Sequence, residues 1–148
     1  MSTVFNVAKG ELGYYRRLPD ASSAIVAVPF LAAGLVSDAI MRDYATLAEV
    51  EAGASAENTT VGRIVLSGLA SAVDNGADKR TFDSANIVWA APPASGAVGA
   101  ILLCYRPGAA PADSLWIPLT KHDVTWTPDG NQMTFEVNNF AESGEPTP

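Results

Sequence analysis

Val124-Thr125-Trp126-Thr127-Pro128-Asp129-Gly130-Asn131-Gln132-Met133-Thr134-Phe135-Glu136-Val137-Asn138 is the run on which the reading of this chain turns. In its first half Val124 and Trp126 alternate with Thr125 and Thr127; in its second, Met133, Phe135 and Val137 alternate with Thr134, Glu136 and Asn138. A period of two places successive side chains on opposite faces of a strand, so both halves read as half-buried β-structure. The centre carries turn chemistry. Pro128 presets its own φ, Asp129 can accept from nearby backbone N–H groups, and Gly130 or Asn131 tolerates the positive φ of a reversal. The expectation is a hairpin inside a β-rich stretch from Asp113 to Phe140.

Moving outward, Leu115, Trp116 and Ile117 open that meander, and the Pro107-to-Pro111 loop precedes it. Val98 to Tyr105 is almost unbroken in apolar character, as in a central strand covered on both faces. Pro92, Pro93 and Gly96 interrupt the chain before it, and Thr81 to Ala90, with Phe82, Ile87, Val88 and Trp89, forms another β-like run. Asp74-Asn75-Gly76 is a turn signal. Thr59 to Leu69 leans to strand despite Gly62 and Gly68. Ala24 to Leu31 is a short strand that Pro29 should end or hold at an edge. Ser37 and Asp38 offer capping oxygens before Ile40, Tyr44, Leu47 and Val50, which recur at helical spacing and stop at Gly53, so one helix is expected near residues 38–52.

These elements give a mainly-β class: a β-sandwich or barrel-like domain with one inserted α-helix and an extended N-terminal arm. The divisions are an arm over residues 1–20, a single β-rich domain over 21–140, and a flexible C-terminal tail over 141–148 rich in Glu, Ser, Gly and Pro. The arm holds Phe5, Tyr14 and Tyr15 among Gly10 and Gly13 with no sustained period, so its rings should bury against the domain body or a neighbouring subunit. Deleting residues up to Arg17 should then leave a folded domain.

A chain of 148 residues supports one core. Its net charge of −7 argues against direct binding of nucleic acid, which needs clustered cations. Charged residues are only 17%, which leaves much uncharged surface and hints at covered faces and a homo-oligomer. Lys9, Arg16 and Arg17 nevertheless outnumber Glu11 near the N-terminus, a local cationic bias able to place the chain on an acidic partner. No apolar run is long enough for a membrane span, and no cleavable leader is visible, so synthesis in the cytoplasm is expected.

Candidate chemistry is sparse. Cys104, His122 and Asp123 resemble a nucleophile, base and orienting carboxylate on paper. Yet Cys104 lies in an apolar run where thiols are inert, and adjacent strand residues point to opposite faces, so Asp123 is badly placed to hold His122. Asp74, Asp78 and Asp83 lack the spacing of a calcium loop. Trp89, Trp116 and Trp126 could serve as sugar platforms, but their apolar strand settings favour core packing. No enzyme activity, metal or cofactor is expected.

Phe5-Asn6-Val7-Ala8-Lys9-Gly10 and Ile117-Pro118-Leu119-Thr120-Lys121-His122-Asp123, with Ser37-Asp38-Ala39, the Trp89 strand and Pro128-Asp129-Gly130 in order between and after them, resemble capsid-associated accessory proteins of tailed bacteriophages. The resemblance implies a virion structural protein, a decoration or minor capsid protein on the head exterior. It further implies the major capsid protein as partner, trimers as the favoured homo-oligomer, and Phe5, Lys9, Tyr14, Tyr15, Arg16 and Arg17 as capsid or subunit interface. A head fibre, tail or connector component is the alternative; a small enzyme or carbohydrate-binding domain is the remote one.

Overall fold

A computed structural model describes residues 2–77, 79–137 and 140–142. In chain order the elements are β1 (Ser2–Val4), a 3-10 turn at Asn6–Ala8, α1 (Leu12–Tyr15), β2 (Ala24–Leu31), α2 (Asp38–Met41) and α3 (Leu47–Gly53). They continue with β3 (Ile64–Val65), β4 (Ala70–Asp74), β5 (Lys79–Asp83), β6 (Ile87–Trp89), β7 (Val98–Arg106), a 3-10 turn at Asp113–Leu115, β8 (Ile117–Trp126), β9 (Met133–Phe135) and β10 (Phe140–Glu142). The fold is mainly β, and every strand pairing among the described residues is antiparallel. A five-stranded sheet runs β1-β8-β7-β2-β3, a three-stranded sheet β10-β5-β4, and β6 pairs with β9.

β7 lies at the middle of the large sheet, and Ala100 through Tyr105 are all buried, as their continuous apolar run dictates. β2 beside it is equally sealed from Ala24 to Phe30. The strand does not stop at Pro29. Its short partner β3 pairs only with Val26 and Ala27, so the missing N–H of Pro29 breaks no ladder on that side, while its carbonyl accepts from Asn58 N–H at 2.8 Å.

The turn at 127–131 forms with the expected chemistry: Gly130 has φ +91, and Asp129 Oδ1 accepts from Asn131 N–H at 3.0 Å. The hairpin across it does not. β7 lies along one edge of β8 and β1 pairs with the other from Thr120 to His122, while β9 crosses to β6 and pairs Phe135 with Ile87 and Met133 with Trp89. The turn docks instead on the proline segment, with Gly130 N–H donating to Pro92 C=O at 2.9 Å.

The helix expected near 38–52 is two helices. Thr46 is extended (φ −134, ψ 157), and its Oγ1 accepts from Glu49 N–H at 3.2 Å, while Glu49 Oε2 accepts from Ala45 N–H at 2.7 Å. This reciprocal cap starts a new helix at Leu47. Leu47 and Val50 are buried, whereas Ile40 is 52% exposed.

The extended arm is also corrected. Residues 2–18 make a strand, a 3-10 turn and a helical turn against the body: Phe5 is fully buried, Ala8 and Leu12 join the core, and β1 pairs Thr3 with Lys121. Phe5 N–H donates to Leu119 C=O at 3.0 Å and Asn6 N–H to Arg42 C=O at 2.9 Å. At the other end, Ala141 and Glu142 of the expected tail belong to β10; residues 143–148 lie outside the described residues.

Candidate functional site

The segment from Lys9 to Arg17 presents the first candidate surface. Gly10 takes φ +79 between the 3-10 turn and α1, a conformation that suits glycine. Lys9 and Arg17 are exposed, and Tyr14 is 53% exposed. Tyr15 and Arg16 are half-buried, and Phe5 belongs to the core. Of the six interface residues expected, the structure therefore leaves Lys9, Tyr14 and Arg17 outermost and removes Phe5.

This backbone is held firmly. Tyr14 packs edge-on against Tyr15 with ring centroids 5.4 Å apart, and Tyr15 lies 4.9 Å from Tyr105. The Tyr105 hydroxyl donates to Asp20 Oδ2 at 2.6 Å, and burial pushes the phenols of Tyr15 and Tyr105 upward. Leu18 (φ +51) and Ser22 (φ +60) flank Asp20 in the left-handed region, which side-chain-bearing residues hold only where surrounding contacts fix them. The segment carries three of the nine Lys and Arg residues and one of the sixteen Asp and Glu.

The Cys-His-Asp trio does not assemble. His122 pairs across the ladder with Ile101 and Cys104 with Pro118, so the thiol's strand position is three residues, about 10 Å, beyond that of the imidazole's partner. Cys104 is completely buried, and desolvation raises its thiol far above the nucleophilic range. His122 is held neutral, pushed down to about 4 chiefly by desolvation. Its Nε2 lies 2.9 Å from Thr120 Oγ1, and its ring meets Phe135 edge-on at 5.5 Å. Asp123 accepts instead from Lys121 Nζ, which also reaches Asp38; Thr3 Oγ1 donates to that same Asp38 at 2.7 Å. The Lys121 hydrogen bond, then that of Thr3, holds Asp38 below the usual carboxylate range.

The densest charged cluster escaped the sequence reading. Arg63 Nε and Nη2 donate to Glu57 at 2.8 and 2.6 Å, and Nη1 and Nη2 donate to Asp113 at 2.8 and 2.9 Å. Nη2 also meets Glu51 Oε1 at 3.1 Å, and the guanidinium carbon sits 4.6 Å from the Trp116 ring centroid. The Arg63 hydrogen bonds hold Asp113 low, while burial, then Asp113 and Glu57, push Glu51 up to about 7. The carboxylates come from α3, the loop before β3 and the turn before β8, so no sequence spacing joins them. The one available signal was a lone Arg63 inside the apolar stretch Val61–Leu66.

Trp89 and Trp116 are buried and donate their indole N–H groups to Gly62 and Pro111 carbonyls at 3.1 and 3.2 Å. Trp126 is half-buried, 5.5 Å from Trp89. A cleft of about 260 Å³ is lined by Val61, Ile64, Val88, Trp89 and Ala90 to Pro93. No group of three or more His, Cys, Asp or Glu among the described residues is arranged to hold a metal ion. No family model, curated protein or solved structure matches the chain.

Proposed function

We propose that this chain is a non-enzymatic structural protein of a tailed-phage particle, a decoration or minor capsid protein that binds the assembled head shell through Lys9, Tyr14 and Arg17. The observation that carries this reading is a half-exposed Tyr14 with exposed cations on either side in sequence, held on backbone fixed by the Tyr15–Tyr105–Asp20 contacts. A rigid aromatic loses little entropy on docking, and flanking cations steer it toward an acidic surface. The partner proposed, the major capsid protein, and the trimer proposed as the assembly come from the resemblance of the residue pattern to capsid-associated proteins. In the same reading the large sheet, buried on both faces at β7 and β2, is one layer of a sandwich-like body. The physical function is linkage: a protein that binds only the closed shell stabilises it by its binding free energy.

Purified protein added to undecorated capsids should co-sediment with them and raise their resistance to heat or chaotrope. Tyr14→Ala combined with Arg17→Ala should keep the melting temperature of the isolated chain and weaken shell binding by about tenfold or more. Sedimentation with tails alone would move the assignment to a tail or connector component. Undiminished shell binding by the double variant would exclude this face.

A further inference from the structure

Three carboxylates close on one guanidinium at Arg63, which leaves an excess of two negative charges when all are ionised. The hydrogen bonds are unequal. Glu57 and Asp113 each take a two-point contact, and Nη2, with two hydrogens, is shared among three carboxylates, at 2.6 Å from Glu57, 2.9 Å from Asp113 and 3.1 Å from Glu51. Glu51 receives the longest contact, 3.1 Å, and also lies within hydrogen-bonding reach of both other carboxylates. A proton on Glu51 turns that crowding into donation; without it, three anions face one another.

We infer that Glu51 is a proton-operated latch: with its proton on, it ties α3 to the Asp113 turn and the Glu57 loop beside Arg63, and losing the proton opens that tie. The charged groups around it are Asp113 from the turn before β8, Glu57 from its loop and Arg63 from the lead-in to β3, and the field of all four reaches the buried Cys104 thiol of β7. At the end of α3 itself the Tyr44 hydroxyl lies against Gly53. The loop side is anchored, since Glu57 bridges to Phe30 of β2, and Leu47 N–H fixes the start of α3 on Trp116 C=O at 3.0 Å. The far end of α3 is held as well, with Val50 and Ala54 in the core and Ser55 Oγ donating to the Leu31 and Ala33 carbonyls at 2.7 and 3.0 Å, so what the proton changes is the contact among the side chains around Arg63.

The direction of the pH effect follows from linkage. A carboxyl held above its ordinary 4.5 favours the folded state fully below that value and loses the contribution as pH climbs through about 7. His122 works the opposite way, losing stability as pH falls from 6.5 toward about 4. The Glu51 loss runs between 4.5 and about 7 and overlaps that of His122, so the two are separated by a variant that changes Glu51 alone.

The test compares the full-length wild-type chain with Glu51→Gln, which keeps a donor and removes the charge. Thermal melting is followed from pH 5 to 8.5 at fixed ionic strength, with carbon-13 NMR titration of the Glu51 carboxyl in the wild type. The melting temperature of the variant relative to wild type should rise by a few degrees across that interval, and the carboxyl should titrate near neutrality. A relative melting temperature that does not change with pH, or a carboxyl midpoint at the ordinary value, overturns the latch. If the glutamine variant fails to fold, the wild-type carboxyl titration decides alone.

Discussion

His122 illustrates how environment sets a residue's chemistry. Its place on β8 opposite Ile101, with Phe135 at its ring edge and Thr120 Oγ1 on Nε2, removes water from the imidazole and penalises its cation. The ring should stay neutral down to about pH 4. Proton NMR of its Cε1–H should show no titration between pH 8 and 5, and stability should fall as pH drops from 6.5 toward 4, because the unfolded chain takes up the proton first. A midpoint near 6.5 in the folded protein would contradict the burial argument. At this scale the sequence was a good guide to inertness: an apolar run around Cys104 foretells a sealed thiol, and strand alternation foretells that Asp123 turns away from its neighbour. It was blind to Arg63, whose three acidic partners lie 12, 6 and 50 positions away and meet only after the sheets have packed.

Elements were legible where the cause was local. The Asp74 turn forms as its residues require, with Asp74 Oδ1 accepting from Gly76 and Ala77 N–H groups at 3.0 and 3.1 Å, and the Pro128-Asp129-Gly130 turn does likewise. Pairing was not local. A turn reverses the chain, but the strand that follows need not pair with the one before it: β9 takes β6 as its partner, although β1 covers β8 only from Thr120 to His122. The split helix had a readable cause, the Thr46-x-x-Glu49 capping box, hidden by an apolar spacing that ran across it. Gly99 of β7 offers a test of how tightly these elements meet. A Cβ there would lie 2.7 Å from Ala32 Cα and 3.0 Å from Ala32 Cβ, at a register shift between β7 and β8. Backbone must shift to admit it, so Gly99→Ala should cost about 1–3 kcal/mol in a denaturant melt. Gly76→Ala, which meets only Asp74 Oδ1 at 3.4 Å, should change little by comparison.

For the whole molecule the decisive question is whether the N-terminal segment is an appendage or part of the core. Its aromatic residues without periodicity suggested an arm, because a three-residue strand, one 3-10 turn and one four-residue helix are each too short to establish a repeat. Of the rings expected to bury, Phe5 does so in this chain's own core and Tyr15 is half-buried against Tyr105, whereas Tyr14 stays 53% exposed. Deleting residues up to Arg17 would remove Phe5, Ala8 and Leu12 from the core and β1 from the edge of β8, where Leu119, Thr120 and Lys121 are buried. It would also take Thr3 from Asp38. Truncating a buried Phe alone costs about 3–5 kcal/mol, against a total stability of about 5–15 kcal/mol for a domain of ordinary size. The truncated chain should therefore lose its cooperative thermal transition in circular dichroism, while Lys9→Ala and Arg17→Ala retain theirs. A sharp melt near the wild-type temperature for the deletion would mean that the remaining sheet holds without its first strand, and would return residues 1–17 to the role of an arm.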